Sequence, residues 1–250
     1  MKRFGLIGQH VQHSFSPAYF SNKFKQEGIL DCSYELFPLA QIQDFNTLLQ
    51  KESNLAGLNV TIPYKQAILP FLDALSPQAL QIGAVNTIQF KAGKRIGHNT
   101  DVYGFQVSLE KALGPSSFDS KALILGTGGA SKAVAYALQE MNISYQYVSR
   151  KASRHVLSYD MLSSELIQEH LVIINTTPLG MFPNINTCPL LSYTDLSSRH
   201  ILFDLVYNPK QTLFMKKGAE QGAKTINGLE MLHLQAEKAW SIWTTNNLAL

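Results

Sequence analysis

Residues 122–131 read ALILGTGGAS, a short apolar run that leads directly into a glycine-rich turn. The run is typical of a buried strand, and residues 131–141, SKAVAYALQEM, continue as a helix with Ala133, Ala137 and Met141 on one side. Glycines allow a tight turn and let the backbone approach a pyrophosphate, whose charge is met by free amides at the helix N-terminus. The stretch therefore predicts a strand, a phosphate-binding turn and a helix of the dinucleotide-binding type.

The third position of the usual GxGxxG/A pattern is Ser131, a mild departure, and a plain strand-to-helix turn would look much the same. The next predicted strand ends at Val148 and is followed by the loop SRKASR, residues 149–154. Arg150 and Arg154 thus stand where an NAD-binding fold usually offers an acidic residue to the ribose hydroxyls. Because guanidinium groups bind a 2′-phosphate that a carboxylate would repel, the loop predicts NADP. The alternative is a solvated basic loop.

Short apolar runs bounded by Gly, Pro, Asn or Asp alternate with amphipathic helical stretches along the chain. This alternation is typical of an α/β protein with mainly parallel sheets. The candidate strands are Phe4–Ile7, Ser33–Leu36, Leu55–Val60, Val85–Phe90, Ala122–Leu125, Tyr145–Val148, Val172–Ile174 and Ile201–Leu205.

The pattern also indicates a division into two domains. A predicted helix from about Val102 to Leu113 precedes a Gly-Pro-Ser-Ser stretch, residues 114–117, that suits a linker. The final helix, about Leu229–Trp243, carries an apolar stripe that must dock on something, and we expect it to cross back to the first domain. The predicted domains are residues 1–100 with 228–250, and residues 101–227.

Composition excludes several classes of protein. With 16% charged and 45% hydrophobic residues the chain is globular, and a net charge of +3 is too small to argue for nucleic acid. Cys32 and Cys188 lie far apart with no CxxC motif, which argues against a zinc site and a disulfide framework and favours a reducing cytoplasm. No apolar run reaches the roughly eighteen residues of a membrane span. A monomer and a homodimer both stay open.

Residues 57–65, GLNVTIPYK, begin like a buried strand. Three polar side chains, those of Asn59, Thr61 and Lys65, then interrupt the apolar pattern. In an alternating strand Asn59 and Thr61 share one face, and Pro63 suits the first turn of a following helix. Lys65 would then lie near that helix's N-terminus, where the helix dipole opposes a cation; with partial burial, both effects favour the neutral amine. The alternative is a solvated lysine whose stem covers apolar surface.

Two further segments offer polar groups next to helices. Asp101 closes GHNTD just before a helix, so it is either an N-cap or, across a cleft from Lys65, a carboxylate that holds the ammonium and shares its proton. Residues 13–17, HSFSP, place Ser14 and Ser16 before a Pro-started helix. Their hydroxyls and nearby amides can receive a substrate carboxylate, with ordinary helix capping by Ser16 as the alternative.

Residues 175–181, NTTPLGM, follow another strand of the second domain, at the edge where a doubly wound sheet binds its ligand. Thr176, Thr177 and Gly180 suit a close backbone approach to a nicotinamide ribose. A turn fixed by Pro178 would look identical.

Taken together, the motifs resemble the shikimate dehydrogenase family, and they fall in its order. They are HSFSP, NVTIPYK, GAVNT (83–87), NTDVYGF (99–105), LGTGGAS (125–131), NTTPLGM, DLVYNP (204–209) and GLEMLHLQA (228–236). The resemblance implies two α/β domains facing a cleft, with a substrate-binding domain in front of a Rossmann-type NADP-binding domain. The implied reaction is the NADP-linked interconversion of 3-dehydroshikimate and shikimate.

The resemblance also implies roles for individual residues, and it implies no metal. The catalytic pair is Lys65 and Asp101. The substrate-binding residues are Ser14, Ser16, Asn59, Thr61, Asn86, Tyr207 and Gln235. The cofactor-binding residues are Gly126, Gly128, Gly129 and Ala130 in the phosphate turn, Ser149, Arg150 and Arg154 at the 2′-phosphate, and Thr176, Leu205, Gly228 and Met231 at the nicotinamide end.

Some positions depart from the family, and two other functions stay open. Phe20-Ser21-Asn22 stand where the family usually has a His-Asn pair. One rival function is a quinate or dual-specificity dehydrogenase, whose members tend to carry Thr in place of Ser16 and an acidic cofactor loop. The other is a non-catalytic NADPH-sensing protein, which would have little reason to retain both Lys65 and Asp101.

Overall fold

The computed structural model describes residues 1–114 and 120–245. Of the Gly-Pro-Ser-Ser stretch predicted as a linker, Gly114 is described, and residues 115–117 lie outside the described residues. The described chain folds into α-helices and two β-sheets, with one sheet in each of two compact units.

The secondary structure follows the alternation seen in the sequence. The strands are β1 (Lys2–Gly8), β2 (Cys32–Pro38), β3 (Leu55–Val60), β4 (Ala74–Leu75), β5 (Thr87–Lys91), β6 (Lys94–His98), β7 (Ala122–Leu125), β8 (Tyr145–Ser149), β9 (Val156–Ser158), β10 (Val172–Asn175), β11 (Ile201–Asp204) and β12 (Lys224–Ile226). The helices are α1 (Ser16–Gln26), α2 (Asp44–Lys51), α3 (Pro77–Ile82), α4 (Asp101–Leu113), α5 (Gly129–Glu140), α6 (Ser164–Glu169), α7 (Leu213–Glu220) and α8 (Leu229–Thr244). Among the described helices, none is both long and apolar enough to cross a membrane.

The division of the chain falls inside the last helix. Unit 1 consists of Met1–Thr100 with Ala236–Leu250, and unit 2 of Asp101–Gln235. Residues 228–235 therefore belong to unit 2, whereas the sequence placed the return of the chain at residue 228. Close packing explains the difference: the Gly228 amide bonds to the Val206 carbonyl at 3.2 Å, and a Cβ on Gly104 would lie 2.5 Å from the Met231 carbonyl oxygen.

The sheet of unit 1 is mixed rather than mainly parallel. Its strand order is β2-β1-β3-β5-β6-β4, and β5 runs antiparallel to both β3 and β6. The reversal between β5 and β6 is a two-residue turn at Ala92 and Gly93, with φ of 50° and 74°. Two successive residues with positive φ are the geometry of a tight β-hairpin, so this turn makes the local pairing antiparallel.

The unit 1 sheet has an apolar cluster on each face. Phe4 and Leu6 pack in one cluster and Ile7 in the other, because successive side chains of a strand point to opposite faces. The C-terminal part of α8 brings Trp240 and Trp243 to the Phe4 side, where the Trp240 ring lies edge-on to Phe4 at 5.3 Å. The C-terminal part of the apolar stripe of the last helix is thus covered within unit 1.

The sheet of unit 2 has the doubly wound order β12-β11-β10-β7-β8-β9, and every described pair in it is parallel. The chain leaves β7 toward β8 and β9, then returns to the other side of β7 for β10 to β12. This is the strand order of dinucleotide-binding domains, whose ligands bind at the carboxyl ends of the strands where the order reverses. That point lies between β7 and β10, next to the glycine-rich turn.

Candidate active site

Residues 62–68 form turns rather than the helix expected after Pro63, and only a short 3₁₀ helix, Leu69–Phe71, follows them. The carbonyl of Lys65, which a helix would bond to the amide four residues on, instead accepts the Val85 amide at 2.7 Å. The predicted helix is wrong, and no helix dipole acts on Lys65 within this described segment. Lys65 is half-buried, and its backbone is fixed to the GAVNT segment.

Asn59 lies at the end of β3 with its side chain almost entirely buried. Its Oδ1 accepts the Tyr34 hydroxyl at 2.7 Å, and its Nδ2 donates to the Asn86 carbonyl at 3.3 Å and to Thr87 Oγ1 at 3.2 Å. Hydrogen bonds therefore hold both the oxygen and the nitrogen of this side-chain amide. Tyr34 and Thr87 were not predicted as site residues.

Asn86 is buried beside it and joins β5 to the segment before α4. Its Oδ1 accepts the Thr100 amide at 2.7 Å and the Thr87 hydroxyl at 3.0 Å, while its Nδ2 donates to Thr100 Oγ1 at 3.0 Å. These bonds bring together GAVNT and GHNTD, two motifs that the sequence analysis treated separately. The signal available in the sequence was the Asn-Thr pair that both motifs contain.

The two serines of HSFSP lie at different positions near the start of α1: Ser14 precedes the helix, and Ser16 is its first residue. Ser14 Oγ accepts the amide of Ser16 at 3.2 Å, and Phe15 occupies the N-cap position of α1. Helix capping by Ser16, the alternative given above, is therefore wrong. Thr61 follows β3 and is partly buried, and its amide bonds to the Ile7 carbonyl at 2.9 Å.

The remaining residues predicted for substrate and proton transfer lie in unit 2. Asp101 is the first residue of α4 and is 6% exposed. Tyr207 follows β11 and is half-buried. Gln235 lies in α8 and donates from Nε2 to the Leu232 carbonyl at 2.9 Å. Unit 1 holds Lys65 together with the serines, Asn59, Thr61 and Asn86.

The glycine-rich turn has the backbone that a pyrophosphate site requires. Gly126 has φ of +109°, and a Cβ there would lie 2.7 Å from Thr176 Oγ1, so a side chain would be strained and crowded. A Cβ on Gly128 would meet no atom of the described residues within 4 Å. This open space adjoins the N-terminus of the twelve-residue helix α5, which begins with Gly129 and Ala130. The turn therefore fits a dinucleotide phosphate.

Ser131 shows why the third position of the glycine pattern can change. It is 1% exposed, and its Oγ donates to the Gly128 carbonyl at 2.7 Å. The hydroxyl thus bonds within the turn, so the polar side chain that departs from the usual pattern has its hydrogen bond satisfied locally.

The basic loop after β8 separates its two arginines. Arg150 directly follows Ser149, the last residue of β8, and is exposed. Arg154 lines a cavity of about 500 Å³ together with Tyr147 and Met161. The two guanidinium groups therefore have different surroundings, which the sequence pattern did not distinguish.

A buried hydrogen-bond network that the sequence analysis missed shapes the ends of β10 and β11. Asp204 is fully buried and accepts Asn175 Nδ2 at 2.9 Å, the Thr212 hydroxyl at 2.6 Å and the Val206 amide at 3.0 Å. Burial raises the pKa of Asp204 from its ordinary 3.8 to about 6, although these three hydrogen bonds act in the opposite direction. The available signal was that NTTPLGM and DLVYNP each start with a polar residue at a strand end.

The residues predicted for the nicotinamide end all lie in unit 2, near the ends of these strands. The amide and hydroxyl of Thr176 both bond to the Leu125 carbonyl, at 3.0 and 2.7 Å. A Cβ on Gly228 would lie 2.2 Å from the Leu205 carbonyl oxygen, so only glycine fits. The structure thus brings Leu205 and Gly228 together, with Met231 buried on α8 three positions further on.

Comparison with known proteins accounts for both units. A family model described as the shikimate dehydrogenase substrate binding domain matches residues 6–88. A shikimate dehydrogenase (NADP(+)) of Methanosphaera stadtmanae is 36% identical, and the aligned region covers 96% of this chain and 90% of the relative. The chain belongs to the shikimate dehydrogenase family. The resemblance drawn from the motifs is confirmed.

Two solved structures are similar to this protein over nearly its whole chain. Shikimate 5-dehydrogenase from Thermus thermophilus, in complex with NADP(H) and shikimate, gives a TM-score of 0.86 at 32% identity and covers 98% of this chain and 94% of that one. Quinate dehydrogenase from Corynebacterium glutamicum, in complex with NAD, gives 0.86 at 32%, covering 97% and 93%. The predicted α/β fold is confirmed, and fold similarity alone does not choose between the two substrates.

We predict that Asp204 makes the protein less stable as the pH rises. Because its pKa is about 6 in the folded protein, the folded state binds a proton that the unfolded chain has lost between pH 4 and 6. The unfolding free energy should therefore fall by about 2 kcal/mol between pH 4.5 and 7 from this group alone. Urea unfolding at a series of pH values measures this slope.

The Asp204→Asn variant should lose most of that slope. Its Oδ1 can still accept from Asn175 and Val206, and its Nδ2 can donate to Thr212. The control is Asp160→Asn, because a hydrogen bond from Ser158 lowers the pKa of that exposed carboxylate below the tested window. An unchanged slope in Asp204→Asn would contradict the assignment.

Proposed function

We propose that this chain catalyses the reversible, NADP-linked reduction of 3-dehydroshikimate to shikimate, a step of aromatic amino-acid and chorismate biosynthesis. The observation that carries the proposal is the 36% identity, over nearly the full length, to a relative named shikimate dehydrogenase (NADP(+)). The enzyme is then an oxidoreductase that acts on a CH–OH group of a small molecule.

The two units have separate roles in this proposal. Unit 1 binds the substrate, a role supported by the family model that matches residues 6–88. Unit 2 binds NADP, a role supported by its doubly wound sheet and by the open space at Gly128. The free thiols of Cys32 and Cys188 suit a reducing cytoplasm, and we infer a cytoplasmic monomer or homodimer.

Substrate recognition would rest mainly on buried, hydrogen-bonded polar groups. In unit 1 the amides of Asn59 and Asn86 are already oriented by their neighbours, which lowers the cost of ordering them on binding. The other proposed contacts are Ser14, Ser16 and Thr61 in unit 1, and Tyr207 and Gln235 in unit 2.

NADP recognition would use three parts of unit 2. Amides of the glycine turn, from Gly126, Gly128, Gly129 and Ala130, would bind the pyrophosphate. Ser149, Arg150 and Arg154 would bind the 2′-phosphate. Thr176, Leu205, Gly228 and Met231 would line the nicotinamide end.

Proton transfer would belong to Lys65 and Asp101. NADPH, when bound, supplies the hydride that the carbonyl carbon of the substrate receives. As the carbonyl bond becomes single, its oxygen gains negative charge, and the ammonium of Lys65 gives that oxygen a proton. Asp101 stabilises the ammonium form and shares its proton, so the two groups act as a pair rather than as one base.

A quinate or dual-specificity dehydrogenase is the second candidate, supported by the similarity to the Corynebacterium glutamicum quinate dehydrogenase. Ser16 and the basic SRKASR loop favour shikimate and NADP. We expect NADP⁺ reduction with shikimate to exceed all other combinations in an assay of shikimate and quinate with NADP⁺ and NAD⁺. Higher kcat/KM with quinate would favour the second candidate, and no turnover with any combination would favour the NADPH-sensing alternative.

For the cofactor loop we predict that Arg150→Ala and Arg154→Ala each weaken NADP⁺ binding about tenfold to a hundredfold, the value of a charge-assisted hydrogen bond. NAD⁺ binding should change about twofold or less, because NAD⁺ lacks the 2′-phosphate. Lys151→Ala, an exposed cation of the same loop, is the matched control. Titration calorimetry with both cofactors measures the ratio, and equal losses for the two would refute a role in reading the phosphate.

For proton transfer we predict that Lys65→Ala lowers kcat by about two to four orders of magnitude, the usual size of an acid–base contribution, with a smaller change in the KM for shikimate. Exposed Lys25 on α1 provides the control variant Lys25→Ala. If Lys65 and Asp101 act as a pair, Lys65→Ala combined with Asp101→Asn should be little worse than the poorer single variant. A large rise in KM at unchanged kcat would contradict a role of Lys65 in proton transfer.

A further inference from the structure

Tyr34 is a nearly buried tyrosine of β2 whose hydroxyl contacts the proposed substrate-binding side chain of Asn59. It is 7% exposed, and its hydroxyl donates to Asn59 Oδ1 at 2.7 Å. Tyr34 therefore holds the side chain of Asn59, near the end of β3, through one oxygen atom.

The ring of Tyr34 is held by aromatic packing. Phe20, which is fully buried, stacks on it with ring centroids 4.3 Å apart and planes only 12° apart. Trp243 from α8 lies 6.5 Å from it, centroid to centroid. Because the ring has little freedom, the hydroxyl is a fixed point within unit 1.

The hydroxyl also decides what Asn59 can offer to a ligand. A side-chain carbonyl oxygen can accept two hydrogen bonds, and Tyr34 uses one of them on Oδ1. Both Nδ2 contacts go to the Asn86 carbonyl and to Thr87 Oγ1. Among the described residues, the contacts of Asn59 thereby orient it with one acceptor position remaining on Oδ1, which suits a substrate hydroxyl as the donor.

The phenol remains a neutral donor throughout the pH range of an assay. Burial raises the pKa of Tyr34 far above its ordinary value of 10.0, and the smaller influence of Ser16 in the opposite direction does not offset it. The bond to Asn59 is thus available whenever the protein is folded.

We propose that Tyr34 is a positioning residue for the substrate, which fixes the orientation of Asn59 through its hydroxyl without touching the substrate itself. The inference rests on the proposed function, because it assigns Asn59 to substrate binding. It adds a residue of β2, outside the eight motifs, to the determinants of substrate affinity. The hydride and proton steps do not depend on it.

The test is Tyr34→Phe, which removes one oxygen and keeps the stacked ring. We expect the KM for shikimate to rise about threefold to tenfold, the usual value of one hydrogen bond, while kcat and the KM for NADP⁺ change less than about twofold. Tyr193→Phe in unit 2 is the matched control, because it also removes a hydroxyl that donates a hydrogen bond, in this case to the backbone carbonyl of Pro189 at 3.0 Å. It should leave all three constants unchanged, although both variants lose some thermal stability.

The outcomes separate this inference from the proposed function. A wild-type protein inert toward shikimate overturns the proposed function and this inference with it. An active wild type with an unchanged shikimate KM in Tyr34→Phe, or with kcat lowered instead, overturns the positioning role alone. In the Asn59→Ala background the effect of Tyr34→Phe should shrink, and an equally large rise in KM there would show that Tyr34 does not act through Asn59.

Discussion

Both units bury the side-chain amide of an asparagine at the end of a strand, and a buried amide without hydrogen-bond partners costs about 1 to 3 kcal/mol. Asn59 and Asn86 meet this requirement in unit 1, and Asn175 meets it in unit 2 through Asp204. In each case the partners lie on strands of the same sheet or on the segments next to them. The need to satisfy these groups therefore restricts the conformation of these segments, which carry several of the proposed functional residues.

In unit 1 this constraint fixes the backbone of Lys65 and the backbone of Thr100 to one short segment. The carbonyl of Lys65 accepts the Val85 amide, and the next residue, Asn86, binds the Thr100 amide through its side chain. Thr100 directly precedes Asp101. GAVNT thus anchors the backbone of Lys65 and that of the residue before Asp101. This role needs no ionisable side chain, which explains why GAVNT accompanies the two motifs that contain Lys65 and Asp101.

The sequence was sufficient to predict the structure where the pattern is local. The strand, turn and helix around ALILGTGGAS could be predicted because a buried run, glycines and helical periodicity follow one another. The turns of residues 62–68, where a helix was predicted, could not, because long-range bonds compete there: the Lys65 carbonyl pairs with Val85, twenty positions away. Short strands such as β9 and β12, with three residues each, carry too little periodicity to be seen.

The buried network around Asp204 was missed for a related reason, since an aspartate at a strand end is usually exposed and only the folded neighbours show that it is enclosed. The first helix shows the opposite case, in which a departure from the family pattern becomes intelligible once packing is known. Phe20 lies in the segment where the family usually has a His-Asn pair, and it is fully buried among aromatic rings that include Tyr34 and Trp243. On the exposed side of the same helix, Lys23 pairs with Glu237 of α8 at 2.8 Å. Apolar packing on one side and an ion pair on the other thus hold α1 against α8, and Phe20 gives the Tyr34 ring a rigid base.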